Sequence, residues 1–530
     1  MSTINFNSMT FYYRDSAEKV FDNLNLNIDT NWNLGLVGKN GRGKTTLMNL
    51  INRKLIPVKG EIHSDVKTFY FPFIPDSNET ITFNLIKESI APFNFWERKM
   101  EELSKKSDNE SIKEFGEILE KYQSAGGYNI DSMIEKEFSE MKMSNDLLYR
   151  EFITLSGGEQ TRALIISLFL KTDSFPLIDE PTDHLDMNGR MILGEYLSGK
   201  SGFILVSHDR NFLDICVDHI LSINKSDVRI NKGNYSQWKY NMEIEEEFEL
   251  RKNENLKREI KSLEAAAKKR RMWSNAKEKE IIGATTIKPD KGYLSHKSAK
   301  LMKRALHIES RIEGKLEEKK SLLKNLEDKR KLKIESKSKT KEKLLSISNA
   351  TLKFDNKIVF EDISFDVLRG ERIALLGNNG SGKTSLLKGI LKELNLTSGS
   401  IYLPNYISVS YSRQNPLWDK GLLRDHLKNE NIDETKFRKI MGVMGAWGEI
   451  FERPLETFSR GELKKVELCR SFIEPGNLLI WDEPMNYLDI MSREQIEEVI
   501  LEYEPTMLFT EHDMKFVENI ATSVVSLDNN

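Results

Sequence analysis

GKNGRGKT at Gly38–Thr45 and GNNGSGKT at Gly377–Thr384 decide how this chain folds. Each follows a short apolar run, Leu34 to Val37 in the first case and Ile373 to Leu376 in the second. Each precedes a helix-like stretch, Leu47 to Ile51 and Ser385 to Leu391. Strand, glycine loop and helix in that order are what a phosphate-binding P-loop requires. Gly38, Gly41 and Gly43, like Gly377, Gly380 and Gly382, let the backbone approach phosphate oxygens and turn its N–H groups inward. Lys44 and Lys383 place a positive charge on the terminal phosphates, and Thr45 and Thr384 offer hydroxyls to magnesium. Asn40, Thr46, Asn379 and Ser385 complete the candidate phosphate-binding positions of the two loops.

Outward from these loops the same motifs recur in the same order. The first set is LSGGE (Leu155–Glu159), PLIDEP (Pro176–Pro181) and SHD (Ser207–Asp209). The second is FSRGE (Phe458–Glu462), LIWDEP (Leu479–Pro484) and EHD (Glu511–Asp513). Ser156 and Ser459 are 303 residues apart, as are Asp179 and Asp482, whereas Gly38 and Gly377 are 339 apart. The first copy therefore holds 36 extra residues between its loop and its serine motif, which we expect to be an added helical piece. The runs ending in Asp179-Glu180 and Asp482-Glu483 read as buried strands tipped by paired carboxylates. The aspartate of each pair suits magnesium, and the glutamate suits orienting an attacking water. A single pair would equally fit a strand leaving into a solvated turn; duplication beside P-loops favours the chemistry. His208 and His512 end apolar strands, where a histidine can reach the γ-phosphate or simply pack.

The chain has 530 residues, enough for several domains, with 39% hydrophobic and 30% charged residues, a globular balance. Its longest apolar runs, such as LIISLFL at Leu164–Leu170, fall far short of the ~20 residues that cross a bilayer. The start, MSTINFNSMTFYYRD, lacks the basic and apolar stretches of a secretory signal, and two cysteines lie on separate halves. A cytoplasmic protein that engages no membrane is expected. The net charge of -3 hides a split: residues 241–343 carry 30 Lys and Arg against 19 Asp and Glu, or +11, and the remainder carries -14. A basic middle between acidic flanks fits contact with a polyanion, or a solvated helical surface.

That middle segment is free of proline from Asn241 to Glu280 and again from Ser295 to about Leu332. Leu256, Ile260, Leu263 and Ala267, then Ile308, Ile312, Leu316, Leu323 and Leu326, recur at helical spacing. IIGATTIKPDKGY (Ile281–Tyr293) turns the chain between them, predicting an antiparallel helical hairpin. Cations concentrate toward the turn: Lys269, Arg270 and Arg271 before it, and Lys288, Lys291, Lys300, Lys303 and Arg304 after it. Such clusters neutralise phosphates without reading base sequence. Trp273, Ile281, Ile282, Ile287 and Tyr293 add apolar surface that can stack on bases, wedge into an RNA pocket or pack the tip on itself.

Together the motifs resemble those of ATP-binding cassette ATPases: Walker A, signature, Walker B with its glutamate, the D-loop pattern HLD (His184–Asp186) and the switch histidine. The resemblance implies an α/β fold of two P-loop NTPase cassettes, ATP and Mg2+ as ligands, and ATP hydrolysis. It also implies head-to-tail pairing within one monomeric chain. Site one would join Lys44, Thr45, Asp179, Glu180 and His208 to Ser459 and Gly461. Site two would join Lys383, Thr384, Gln414, Asp482, Glu483 and His512 to Ser156, Gly157 and Gly158. Gln414 is the implied Q-loop metal ligand, and Tyr13 and Phe354 match the adenine-stacking aromatics. Phe73 stands where the first copy would have its glutamine, and Arg460 replaces a signature glycine. Both departures fall on site one, so site two is expected to hydrolyse faster.

The hairpin between cassettes resembles the ABC-F proteins, and KYQSAGGYNID (Lys121–Asp131) and GNYSQW (Gly233–Trp238) are similar to that group. FPLIDEPTDHLD, SNAKEK (Ser274–Lys279), LMKRALHI (Leu301–Ile308) and LLIWDEPMNYLD most resemble Lsa-type antibiotic-resistance factors. This implies domains at residues 1–240, 241–343 and 344–530. It implies ATP-dependent binding at the tRNA exit site of the ribosome, beside large-subunit rRNA and peptidyl-site tRNA. The implied outcome is dislodgement of lincosamides, streptogramin A and pleuromutilins. A housekeeping translation factor of the same build is the nearest alternative; a transporter's ATPase subunit and a DNA-repair ATPase fit the long basic hairpin less well.

Overall fold

The computed structural model describes residues 2–14, 19–75, 80–106, 108–171, 173–183, 185–224, 228–283, 342–354, 357–378, 380–413, 416–446, 448–473 and 476–528. The strand Asn33–Val37, which feeds the first glycine loop, is buried at every position. A strand apolar on both faces belongs inside a parallel sheet covered from both sides. Accordingly the first cassette has a six-stranded sheet ordered Lys67–Phe71, Ser174–Asp179, Phe203–Val206, Asn33–Val37, His219–Ile223, Val228–Lys232. Only the last pair in it is antiparallel. The second cassette repeats the order with Val409–Ser412, Leu478–Asp482, Met507–Thr510, Arg372–Leu376 and Ser523–Ser526, all parallel. Each P-loop thus leaves a central strand and is flanked by the strand that ends in the paired carboxylates on one side of its neighbour.

A three-stranded antiparallel sheet accompanies each main sheet: Phe21–Asp29, Thr3–Phe11 and Lys59–Ser64 in the first, Lys357–Leu368, Lys343–Phe354 and Ser398–Tyr402 in the second. Alternation along the strands divides the second cassette's core. Ile373, Leu375, Ile480 and Leu508 face one apolar cluster, while Ala374, Leu479, Trp481, Met507 and Phe509 face another. Successive strand side chains point to opposite faces, so one sheet builds both layers. In the first cassette Leu34, Leu36, Leu47, Leu50, Phe175, Leu177 and Ile204 share one cluster between the glycine-loop helix and the sheets.

Between glycine loop and serine motif, the first cassette has helices Thr82–Ile90, Phe93–Ser104, Asn109–Ser124 and Ile130–Glu140. The second has only Leu423–Asn429 and Glu434–Val443 there. The added helices are tied down by ion pairs: Lys87 Nζ lies 2.9 Å from Glu97 Oε1, and Lys200 Nζ 2.7 Å from Glu137 Oε2.

The chain divides into two compact units, Met1–Trp238 with Lys331–Asn530, and Lys239–Arg330. Both cassettes belong to the first. A helix of 49 residues, Tyr235–Gly283, leads into the second, about 74 Å long at 1.5 Å per residue. It begins before the boundary expected at residue 241 and continues through Ile281 and Ile282, where the turn was expected to open. The expected second arm lies outside the described residues. No helix among the described residues is long and apolar enough to cross a membrane.

Candidate ATP sites

Each glycine loop ends in a left-handed residue immediately before its helix: Gly43 at φ 96° ahead of Lys44–Ile51, and Gly382 at φ 91° ahead of Lys383–Ile390. A Cβ on Gly43 would stand 2.6 Å from Val20 Cγ1, and one on Gly382 2.5 Å from Val359 Cγ1. Backbone conformation and packing therefore both demand glycine at these two positions. The loops curl around their lysines. Lys44 Nζ donates to Gly38 O at 2.7 Å and Asn40 Oδ1 at 3.1 Å. Lys383 Nζ donates to Gly377 O at 2.7 Å and Asn378 O at 3.0 Å. Burial pushes both ammonium pKa values down against the pull of nearby carboxylates, Asp489, Glu180 and Asp179 in the case of Lys44.

At the tip of strand Leu478–Asp482, separated from the glycine-loop strand by Met507–Thr510, Asp482 accepts hydrogen bonds from Thr384 Oγ1 at 2.9 Å and Thr510 Oγ1 at 2.8 Å. Asp179 pairs with Thr45 and also accepts the Tyr70 hydroxyl at 2.5 Å, and Val206 stands where the second cassette has Thr510. Burial raises both aspartates' pKa values. Glu180 and Glu483 share a left-handed φ of 47°, a strained conformation for a non-glycine residue that turns both carboxylates toward the loops.

The two glutamates then part ways. Glu180 Oε1 is buried without a hydrogen bond, 3.3 Å from His208 Nε2. Burial, then Asp183 and Asp179, push its pKa up to about 8. Burial beside Lys44 and Arg493 keeps His208 well below the usual histidine range, hence neutral. Glu483 accepts the Asn486 amide at 2.7 Å and lies 3.6 Å from His512 Nε2; burial alone would raise its pKa, but His512, then Lys383 and the Asn486 amide, outweigh it and hold the value below the usual one. Asn486 occupies the position of Asp183, so one residue changes a repelling neighbour into a donor.

Both signature serines cap their helices. Glu159 N donates to Ser156 Oγ at 3.3 Å while Glu159 Oε2 accepts Ser156 N at 2.8 Å. Glu462 and Ser459 repeat this box at 3.2 and 2.8 Å. Gly157, exposed, and Gly158, half-buried, follow in the first turn of one helix and Gly461, buried, in that of the other, where N–H groups at the helix start make an anion-receptive end. The cassettes meet across these features. Asn40 N, in the first glycine loop, donates to Asp489 Oδ2 of the second cassette at 2.9 Å. A Cβ on Gly461 would be 3.5 Å from Asn40 Nδ2. On the opposite side Lys383 is within electrostatic reach of Asp186 of the first cassette. Arg460 lies over the Tyr487 ring, 5.4 Å from its centre, within its own cassette.

Of the remaining sequence candidates, Tyr13 is exposed with its hydroxyl 2.8 Å from Thr46 Oγ1, and Phe354 is exposed at a strand end. Gly41 and Gly380, at φ 77° and 84°, have open space beside them, and Ser385 lies in the second loop's helix. Phe73 lies beside Lys171, whose Nζ is 5.6 Å from the ring centre, and leaves Asp179 to Tyr70. Lys269, Arg270, Arg271, Trp273, Ile281 and Ile282 belong to the helix Tyr235–Gly283. Asn379, Gln414, Ile287, Lys288, Lys291, Tyr293, Lys300, Lys303 and Arg304 lie outside the described residues. Sequence reasoning passed over Tyr70, Asn486, Thr510 and Asp489, each of which touches a motif residue. Asn486 was visible as the only acidic-to-amide change between DEPTD and DEPMN.

A magnesium nucleotide fits these residues. Lys44, Thr45, Asp179 and Glu180, one oxygen of which has no hydrogen bond, line a cavity of about 610 Å³ beside the first loop, and the second loop repeats the inward lysine and the buried aspartate beside its threonine.

The family described as ABC transporter matches residues 21–183 and 360–486. The Ribosome protection protein VmlR of Bacillus subtilis (strain 168) is 28% identical over 526 residues, covering 98% of this chain and 86% of that protein. ATP-binding protein Uup of Escherichia coli (strain K12) is 27% identical over 538 residues, covering 98% and 80%. ABC transporter F family member 2 of Arabidopsis thaliana is 26% identical over 543 residues, covering 97% and 76%. An archaeal ribosome recycling factor, aABCE1, crystallised with the stalk protein aP1, shares the fold with a TM-score of 0.61 at 17% identity, covering 98% of this chain and 87% of that one. The chain belongs to the ABC transporter family of ATP-hydrolysing cassette proteins, and the relatives it matches over nearly its whole length support an ABC-F protein similar to resistance factors.

Proposed function

We propose that this protein is an ATP-driven ribosome protection factor. In this reading it binds the ribosome at the tRNA exit site while its cassettes hold ATP, and displaces lincosamides, streptogramin A and pleuromutilins from the peptidyl-transferase centre. The observation that carries the ATPase part is the hydrogen bond from Asn40 to Asp489, which joins one cassette's glycine loop to the other's D-loop. The ribosome part is supported by the relative that bears that activity in its name and by the basic composition of residues 241–343.

In each site the loop N–H groups and Lys44 or Lys383 hold the phosphates. The opposing signature residues, Ser459 and Gly461 for site one and Ser156, Gly157 and Gly158 for site two, close on the γ-phosphate. Tyr13 and Phe354 stack on adenine. Thr45 with Asp179, and Thr384 with Gln414 and Asp482, would hold Mg2+, which supplies charge neutralisation on the phosphates. Glu180 and Glu483 orient the attacking water, and His208 and His512 position those glutamates and the γ-phosphate. Site two hydrolyses faster, because His512, Lys383 and the Asn486 amide together keep Glu483 ionised as a proton acceptor. Nucleotide has only to bias two arrangements of the cassettes. The cations and rings from Lys269 to Arg304 then bear on rRNA phosphates and bases.

Expression in a drug-sensitive host tests this reading. Inhibitory concentrations of a lincosamide and a pleuromutilin are expected to rise at least about fourfold over the Glu180→Gln, Glu483→Gln double variant. Unchanged susceptibility would leave the housekeeping translation factor as the better reading.

A further inference from the structure

The helix that begins at the second signature, Arg460–Ile473, buries three charged side chains: Lys464 at 1% exposure, Glu467 at 1% and Arg470 at 5%. They form one lattice. Glu467 Oε1 and Oε2 accept the backbone N–H groups of Arg413 at 3.3 Å and Leu417 at 3.2 Å. Arg470 Nη2 donates to Glu467 Oε1 at 2.8 Å and to Tyr411 O at 3.0 Å. Lys464 Nζ donates to Arg413 O at 3.0 Å and to Asp482 O at 3.4 Å. The lattice thus clasps the segment after strand Val409–Ser412 from both ends and reaches the residue that bears the site-two metal carboxylate.

At the equivalent positions, 303 residues earlier, the first cassette has Thr161, Leu164 and Ser167. None can build such a lattice. Thr161 and Leu164 instead line the open cavity beside Tyr70 and Asp179. Burying three charges is costly unless every one is paired, and a fully paired buried network imposes a single arrangement on the backbones it joins. The helix that carries this network starts at Ser459, Arg460 and Gly461, and Gly461 abuts Asn40 of the opposite glycine loop. One rigid body therefore touches both nucleotide positions: its buried side holds the Asp482 side of site two, and its N-terminus faces site one.

We propose that Lys464, Glu467 and Arg470 are positioning residues that couple the two ATP sites, so that nucleotide bound beside Asp482 sets the second signature for nucleotide on the first glycine loop. This rests on the two-site ATPase reading above. Because coupling of binding is reciprocal, the lattice makes ATP binding cooperative in both directions, while the matching path through the first signature helix contributes little.

The test is equilibrium binding of ATP with Mg2+ to the Glu180→Gln, Glu483→Gln protein, in which turnover is removed. The variant Lys464→Thr, Glu467→Leu, Arg470→Ser installs the first cassette's own set, which packs without charges, and its thermal melt checks folding. A Hill coefficient of roughly 1.5 or more in the parent, falling to about 1 in the triple variant with both sites still filling, is the expected result. Ser167→Ala, at the first cassette's counterpart of Arg470, is expected to leave cooperativity unchanged. A non-cooperative parent, or a folded triple variant that stays cooperative, overturns the proposal. No ATP binding by the parent would instead overturn the ATPase reading on which it rests.

Discussion

Arg210 of the first cassette is buried against Glu497 of the second, with Arg210 Nη1 3.2 Å from Glu497 Oε2 and a second, closer contact between Nη2 and Oε1. Asp513 lies 3.5 Å from the same guanidinium. The repeat places Met514 and Gly194 at the equivalent positions, so the ion pair stands on one side of the molecule's internal symmetry and has no twin.

Arg210→Met leaves Glu497 buried without its cation, while Asp513 keeps Arg493 at 3.0 Å. Removing one partner of a buried pair costs roughly 3–5 kcal/mol. A clear fall in melting temperature is expected, with Glu497→Gln milder because an amide oxygen can still accept from Arg210, whose charge stays beside Asp513 at 3.5 Å. Equal, negligible effects of both substitutions would show that the pair does not hold the cassettes.

Tyr70→Phe deletes the hydroxyl that Asp179 accepts. A cation that uses Asp179 has to displace that donor, and a hydrogen bond to a charged group is worth roughly 1.5–3 kcal/mol. In Lys383→Ala protein, where only the first loop binds, calorimetric titration with ATP is expected to give about tenfold tighter Mg2+-dependent binding for Tyr70→Phe. Unchanged affinity would count against Tyr70 as a competitor.

The nucleotide-free protein should respond to pH through Glu180. Its folded pKa of about 8 exceeds the unfolded value of 4.5. Between those values the folded state retains a proton that the unfolded state has lost, so stability is greatest below pH 4.5 on this account and declines as pH rises toward 8. Glu180→Gln removes that decline. Its melting temperature is expected to match the parent at pH 5 and exceed it at pH 8. Glu483, held below its ordinary pKa, carries the opposite sign: its contribution is present above 4.5, and Glu483→Gln is expected to lower the melting temperature at pH 8.

Steady-state ATP hydrolysis should divide unequally. Glu483→Gln is expected to reduce turnover about tenfold or more, and Glu180→Gln less than about threefold. Equal losses would remove the assignment of faster hydrolysis to site two.

The duplicated motifs made much of this architecture legible. Both glycine loops, both strand-end carboxylate pairs and both capped signature serines stand on the elements that their flanking apolar runs predict. What stayed hidden depends on partners far apart in sequence. Tyr70 and Asp179 are 109 residues apart, and Asn40 and Asp489 are 449 apart; no local periodicity brings them together. The Lys464–Glu467–Arg470 lattice was hidden for another reason. Charged residues at helical spacing ordinarily read as a solvated face, and it takes the backbone groups of Tyr411, Arg413, Leu417 and Asp482, all distant in sequence, to make these three interior. Asn486 against Asp183 could be read from the repeat, but its effect on Glu483 needed the 2.7 Å contact.

The central claim is that ATP closes two paired cassettes into a form that a ribosome holds. Cosedimentation of the Glu180→Gln, Glu483→Gln protein with ribosomes measures it directly. The account expects the variant to pellet with ribosomes when ATP and Mg2+ are present and to stay in the supernatant without nucleotide. Equal recovery in the supernatant under both conditions would contradict it.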